Sequence, residues 1–269
     1  VVNGTEVPRK GAAVFVRDVE RSRDLEVEEL ASSYAYPESL THPWTRVNFV
    51  SSVDGASSVE GRSGGLGHPA DGVVFELVRD LADVVLVGAG TAVAEGYSGV
   101  SRTAERVRRR RALGRADVPP LAVVTRGALP PDAGVLTDTE VPTVVVTCAT
   151  AGRERLQAYR AAGAEVLVAG EWEVDLSWTV AEFGRRGWRH VVCEGGPGLF
   201  GGMVGNGLVD EVCLTVSPVL AGSGAGRIVS DLVEDPHRRL RLCSVVRAED
   251  ALLLRYYTQQ ALRRLDEVC

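Results

Sequence analysis

The stretch Arg189-His190-Val191-Val192-Cys193-Glu194-Gly195-Gly196-Pro197-Gly198-Leu199-Phe200 constrains the fold of this chain most. It reads as a short β-branched strand, a glycine-rich corner and the first turn of a helix. Such a corner turns several backbone N–H groups toward one point, and the positive end of the helix dipole adds to them. Pro197 falls at the first helical position, where its missing N–H is no loss. The adjacent Gly195 and Gly196 accept dihedrals closed to other residues and allow a phosphate close to the backbone. Glu194 ends the strand on the side where open α/β sheets bind ligands. Two readings follow: a diphosphate-binding corner with an acidic group facing a substrate, or a tight turn that only packs closely. Gly196 to Gly201 also has the G-x-G-x-x-G spacing of dinucleotide-binding folds. Only about seventy residues remain after it, and they read as strands and loops, too little for a Rossmann unit.

The rest of the chain alternates strand and helix patterns. Arg46 to Ser51 alternates as a strand and runs into Ser52-Val53-Asp54-Gly55, where Asp-Gly signals a turn. Gly61 to Gly67 is a flexible loop. Asp71 to Leu81 carries Val74, Leu77, Val78 and Leu81 along one helical face. Val84 to Val87 is apolar throughout and predicts a buried parallel strand. It ends in Gly88-Ala89-Gly90-Thr91, a second glycine-rich corner, and two such corners in one sheet suit a ligand with more than one anionic group. Leu121 to Thr125 predicts another strand. Thr125 beside Arg126 at its carboxyl end suits a terminal phosphate, such as the 2′-phosphate that separates NADP from NAD. Strands are predicted at Val141–Thr147 and Ala164–Val168, with helices at Arg153–Ala162 and Ser177–Gly187, Ser177 being the expected N-cap. After the opening corner come a strand over Leu208–Ser217 and a hairpin of Arg239–Arg247 with Ala251–Thr258. This order predicts an α/β protein: a mostly parallel central sheet with helices on both faces and antiparallel strands at the C-terminal end. Residues 1–44, with a strand fragment at Val14–Val16 and helical spacing from Leu25 to Tyr34, read as an arm, and residues 45–269 as a single domain.

Arg102 to Arg115 holds seven arginines. Such a run is usually a solvated helix face, and a rim that attracts phosphate is the alternative. The net charge of −6 and pI near 5.4 argue against a nucleic-acid partner, and no aromatic residues interleave the arginines. No apolar run reaches the roughly 20 residues of a membrane span, and the first thirty residues lack the apolar centre of a signal peptide. Five cysteines without C-x-x-C spacing fit reduced thiols in the cytoplasm, and four scattered histidines predict no metal site.

Four of these segments, in this order, resemble the riboflavin-pathway pyrimidine reductases: Ser52 to Gly55, Ala82 to Thr91, Glu194 to Leu199, and Gly207 to Val212. The resemblance covers about residues 46 to 258 and is to the stand-alone form, since the H-x-E…P-C-x-x-C pattern of a zinc deaminase partner is missing. It implies a dihydrofolate-reductase-like fold, NADPH as hydride donor, a homodimer, and a cis peptide between Gly195 and Gly196. It places Val50, Leu66, Gly88, Gly90, Thr91, Glu95, Thr125, Arg126 and the corner Gly195, Gly196, Pro197, Gly198, Leu199 and Phe200 around the cofactor. Asn48, Asp54 and Glu194 fall near the substrate, with Asp54 or Glu194 as the group that assists protonation. The implied substrate is a phosphorylated ribosylaminopyrimidine, with Arg102 standing in for a phosphate-holding arginine. A dihydrofolate or other pterin reductase on the same scaffold, or a nucleotide-binding protein without turnover, remain as alternatives.

Overall fold

A computed structural model describes residues 27–231 and 238–266, so the expected strand fragment at Val14–Val16 lies outside the described residues. The described strands are β1 (Trp44–Ser52), β2 (Val84–Gly88), β3 (Leu121–Val124), β4 (Val144–Thr147), β5 (Glu165–Val168), β6 (His190–Cys193), β7 (Glu211–Ser217), β8 (Leu240–Ala248) and β9 (Ala251–Thr258). They form one sheet in the order β5-β4-β3-β2-β6-β1-β7-β9-β8. Every pairing from β5 across to β7 is parallel, and the last two are antiparallel. The fold class read from the order of elements is therefore the observed one.

The helices are α1 (Val27–Ser33), α2 (Pro69–Asp80), α3 (Ala89–Ala94), α4 (Ala104–Ala112), α5 (Gly134–Thr137), α6 (Arg153–Ala161), α7 (Leu176–Arg185), α8 (Pro197–Gly205) and α9 (Gln259–Asp266). Strand β2 shows how the two layers are sorted. Val85 and Val87 pack with Val74, Leu77 and Val78 of α2 on one face. Val84 and Leu86 pack with Phe183 of α7 and Phe200 and Met203 of α8 on the other. Successive residues point to opposite faces, so both must be apolar when helices cover both sides. Helix α7 starts one residue before the expected Ser177: Asp175 is the cap, its Oδ1 accepting from Trp178 N at 2.8 Å. A carboxylate there also meets the helix dipole favourably.

The arginine run does form a helix, α4, but its most buried face is the charged one. Arg106 and Arg110 are 3% and 1% exposed. Arg106 pairs with Asp80 at 2.6 Å, and Arg110 donates to the carbonyls of Asp80 and Ala116 at 3.1 and 2.6 Å. Arg109 also pairs with Asp80, and Arg115 pairs with Asp83 at 2.9 Å. The solvated-face expectation fails at these positions because the acids and carbonyls that receive the arginines cluster where α2 runs into β2. Guanidinium groups span that gap with several directed N–H bonds each.

Candidate active site at the sheet tips

The two glycine corners sit side by side because β2 pairs with β6. Gly88 N donates to Gly195 O at 2.6 Å. The fit leaves no room for side chains. A Cβ on Gly196 would run into Thr91 Oγ1, one on Gly195 would lie 2.7 Å from the Phe49 ring, and one on Gly88 would lie 3.4 Å from Gly196 N. Gly195 also has φ +88°, and the Gly195–Gly196 peptide is cis. The ring of Phe49 stacks on Phe200 with centroids 5.0 Å apart, holding the corner against β1.

A cavity of about 650 Å³ opens beside the corners. Of the residues expected at the site, Asn48, Val50, Gly90, Thr91, Glu95, Glu194, Gly196 and Pro197 line it. Glu194 is the centre of its polar wall. Arg79 Nε and Nη2 donate to Oε1 and Oε2 at 2.7 and 2.8 Å, and the Tyr97 hydroxyl donates to Oε2 at 2.9 Å. The guanidinium of Arg79 also lies over the rings of Phe75 and Tyr97, at 4.0 and 5.3 Å. Burial, and then the charge of Glu194, push the Tyr97 phenol well above its ordinary range, so it stays a neutral donor.

Sequence reasoning missed Asp71. It stands in the first turn of α2 and lines the same cavity, with Thr215 Oγ1 of β7 donating to its Oδ1 at 2.6 Å. Burial raises its pKa, against the opposing effects of the Thr215 bond and nearby His68. The signal was available: Asp71, Phe75 and Arg79 are spaced i, i+4, i+8, a second stripe beside the apolar stripe of α2, and all three line the cavity.

The remaining expected residues lie outside the cavity wall. Asp54 clasps two loops: Oδ1 accepts from the Ser52 hydroxyl and from Ala221 N at 3.1 Å, and Oδ2 from Gly222 N at 2.8 Å. These bonds, the Ser52 hydroxyl first, hold its pKa down to about 2. Leu66 is fully buried. Arg102 pairs with Asp117 and Glu140 on the surface, at 2.5 and 3.1 Å. The Thr125 hydroxyl accepts from the N–H groups of Gly127, Ala128 and Leu129 at 3.1, 3.1 and 3.2 Å. Arg126 beside it has a 70% exposed side chain, 3.8 Å from Glu173. Gly198 meets the segment after β7, where Asp231 Oδ2 would lie 3.2 Å from an added Cβ, and Leu199 packs against the core beneath α8.

Parallel strands that end in abutting glycine corners beside a polar cavity define an α/β protein with its candidate ligand site at the strand tips. More narrowly, the chain belongs to the RibD C-terminal domain family, whose model matches residues 43–254. It is 31% identical over 191 residues to the 2,5-diamino-6-ribosylamino-4(3H)-pyrimidinone 5′-phosphate reductase of Archaeoglobus fulgidus, covering 70% of this chain and 86% of that one. The enzyme of the same description from Methanothermobacter thermautotrophicus is 30% identical over 196 residues, with 70% and 84% covered. Among solved structures, a pyrimidine reductase-like protein of Corynebacterium diphtheriae superposes with a TM-score of 0.78 at 24% identity, over 87% of this chain and 99% of that one. The chain is thus homologous to pyrimidine reductases of riboflavin biosynthesis. No described helix is long and apolar enough to cross a membrane.

Proposed function

We propose that this protein is an NADPH-dependent reductase that delivers hydride to C1′ of a ribosylaminopyrimidine. The observation that carries the reading is the pair of abutting glycine corners, Gly88 to Thr91 and Gly195 to Gly198, opening on a cavity walled by Asp71, Arg79 and Glu194. The corners suit a dinucleotide because Gly90, Thr91, Gly196 and Pro197 line the cavity, and glycine there lets a phosphate come close to the backbone. The backbone N–H groups at the starts of α3 and α8 would hold the diphosphate, and Arg126 the 2′-phosphate. Bound there, NADPH supplies the hydride. The chain's own work is to align the acceptor carbon and to manage one proton.

Arg79 and Tyr97 fix the Glu194 carboxylate so that it orients the pyrimidine rather than moving a proton. Asp71, which lines the same cavity and whose pKa burial raises, is the proton donor. The protein acts in the cytoplasm as a homodimer. The resemblance supports a dimer, and β8 is the outermost of the described strands, with Leu240 and Leu242 40% and 50% exposed.

The test is the loss of NADPH absorbance in the near ultraviolet when the purified chain meets ribosylaminopyrimidines and dihydropterins. Turnover of a pyrimidine supports the proposal. Binding of NADPH with no turnover of either class overturns it. Arg126→Ala is expected to weaken NADPH roughly tenfold, the scale of one exposed phosphate contact, and to leave NADH unchanged; equal losses, read by equilibrium titration, would remove the NADP preference. Gly195→Ala brings both a Cβ into the Phe49 ring and a positive φ that L residues resist. It is expected to weaken NADP⁺ by roughly tenfold to a hundredfold in the same titration.

A further inference from the structure

We infer that Arg62 and Arg227, on two loops that border the cavity, hold the 5′-phosphate of a ribosylaminopyrimidine substrate. The inference rests on the reductase reading above and deepens it. Among the described residues, Arg79 is the one cation in the cavity lining. Its charge is spent on Glu194, which both arms of the guanidinium reach, and its faces are covered by Phe75 and Tyr97. Glu95 accepts from Ser63 N at 2.7 Å and brings a carboxylate to the same wall. Arg102, the expected phosphate holder, is tied to Asp117 and Glu140 outside the cavity. A phosphate at the sugar end must therefore find its counter-charge on the rim.

Both loops are fixed by backbone bonds next to residues of the lining. After β1, Val59 N donates to Arg62 O at 2.9 Å and Arg62 N to Val59 O at 3.0 Å. Glu60 and Gly61 between them have φ +51° and +81°, the signature of a tight two-residue turn. Gly61 and Ser63, on either side of Arg62, line the cavity. After β7, Gly226 lines it too, and its carbonyl accepts from Ser57 N and Oγ at 2.9 and 3.0 Å. Arg227 follows, and its Nη1 would lie 3.2 Å from a Cβ on Gly55. Neither arginine makes an ion pair or a side-chain hydrogen bond among the described residues, and both are exposed. Each guanidinium thus keeps its full set of N–H donors for the paired oxygens of a phosphate.

Two acids stand on these loops as well. The Asp54 carboxylate is already taken by the Ser52 hydroxyl and by Ala221 N and Gly222 N. Glu60 is exposed at the tip of its turn, where salt screens it. Selection on the rim therefore works through directed N–H bonds at contact distance rather than through net charge. The hydroxyls of Ser58 and Ser63, on the lining itself, add neutral donors. The sheet order keeps this phosphate apart from the cofactor's own. The glycine corners end β2 and β6, whereas the two loops follow β1 and β7, the next strands across. That is a separation of one to two strand spacings, about 5–10 Å, room for the pyrimidine to lie against Glu194 between them.

The experiment compares a ribosylaminopyrimidine 5′-phosphate with the unphosphorylated compound. Affinity is measured calorimetrically on the protein saturated with NADP⁺, and kcat/KM is measured with NADPH. The ester is expected to bind and react about tenfold to a hundredfold better, the scale of two charge-assisted contacts on an exposed rim. Arg62→Ala and Arg227→Ala should each lower that ratio by about threefold to tenfold. Affinity for the unphosphorylated compound and for NADP⁺ should not change in either variant, whereas a merely structural role would lower all three. Arg62→Lys and Arg227→Lys should keep part of the preference, since the charge stays and the paired donors go. Arg102→Ala should leave the ratio as it is. No preference in the wild type, a preference that survives in Arg62→Ala/Arg227→Ala, or one lost in Arg102→Ala alone overturns the inference and leaves the reductase reading intact. Preferential binding of the ester that the double variant loses, with no oxidation of NADPH, does the reverse: it supports this inference and sinks the reductase reading.

Discussion

Replacing Asp71 with asparagine is expected to lower kcat by about 10²–10⁴, the range typical of a positioned proton donor. The geometry leaves Glu194 and Asp54, the two acids expected to assist protonation, unsuited to that role. Both oxygens of Glu194 already accept from Arg79 and Tyr97. Asp54, held at a pKa of about 2, carries no proton to give at neutral pH. Asparagine is the informative substitution because its amide oxygen can still accept from the Thr215 hydroxyl, so the wall of the cavity keeps its shape. KM should therefore stay near its original value while kcat falls. The pH dependence follows from the direction of the shift. Burial raises the Asp71 pKa, so the protonated, active form persists above the usual carboxylate range. Wild-type kcat should be full below that pKa and fall as pH rises through it, and the limb should vanish in Asp71→Asn. Stability carries the same sign: the contribution of Asp71 is present below its unfolded pKa and is lost as pH rises through its folded one. Thr215→Val removes a bond that pulls the pKa down, and should move the limb to higher pH. A rise in KM at constant kcat would assign Asp71 to binding, and an unmoved limb would take the proton away from it.

The sheet was legible because its determinants are local. Val84 to Val87 and Val144 to Val146 are uniformly apolar, as strands covered on both faces must be. The two glycine corners mark their own strand ends. Their adjacency was not local information, since it depends on β6 inserting between β2 and β1. The polar wall was less legible for a related reason. Arg79 is 115 residues from Glu194, and Thr215 is 144 residues from Asp71. On α2 the apolar stripe drew the reading toward the core, although the stripe beside it faces the cavity. The arginines of α4 misled in the opposite direction. Charge at i and i+4 reads as a solvated face unless the acids that receive it are visible, and Asp80 and Asp83 precede them by more than a turn of any helix.

Glu211→Gln is expected to destabilise the protein by about 3–5 kcal/mol, the consequence of removing one partner from a buried ion pair. Glu211 opens β7 with its side chain fully buried. Its Oε1 accepts from Arg255 Nε at 2.6 Å, and its Oε2 from Arg46 Nε at 3.0 Å and Trp44 Nε1 at 3.2 Å. Arg46 Nη2 comes within 2.9 Å of Oε2 but without hydrogen-bond alignment, and Nη1 has no partner. The charge of Glu211, more than bond count, compensates the buried guanidinium. Tyr36 and Tyr34 from the arm lie over Arg46 at 4.2 and 5.7 Å, and Tyr34 over Arg255 at 5.0 Å. A neutral amide would leave two arginines facing aromatic rings with no counter-charge, and its NH₂ would oppose one of the donors. For a domain of this size the change corresponds to a fall in Tm of roughly 6–20 °C, measurable by calorimetry, with earlier proteolysis at residues 34–43 as the arm loosens. Burial alone would raise the Glu211 pKa, but Arg46 and then Arg255 outweigh it and the net shift is downward. Its contribution is thus present above the unfolded glutamate pKa and lost as pH falls through the depressed native one. The triple variant Arg46→Met, Glu211→Leu, Arg255→Met should recover most of the loss, because apolar side chains of similar volume carry no desolvation penalty. Failure of that rescue, with the single variant still unstable, would mean that the arginines hold the arm through the tyrosine rings rather than through Glu211.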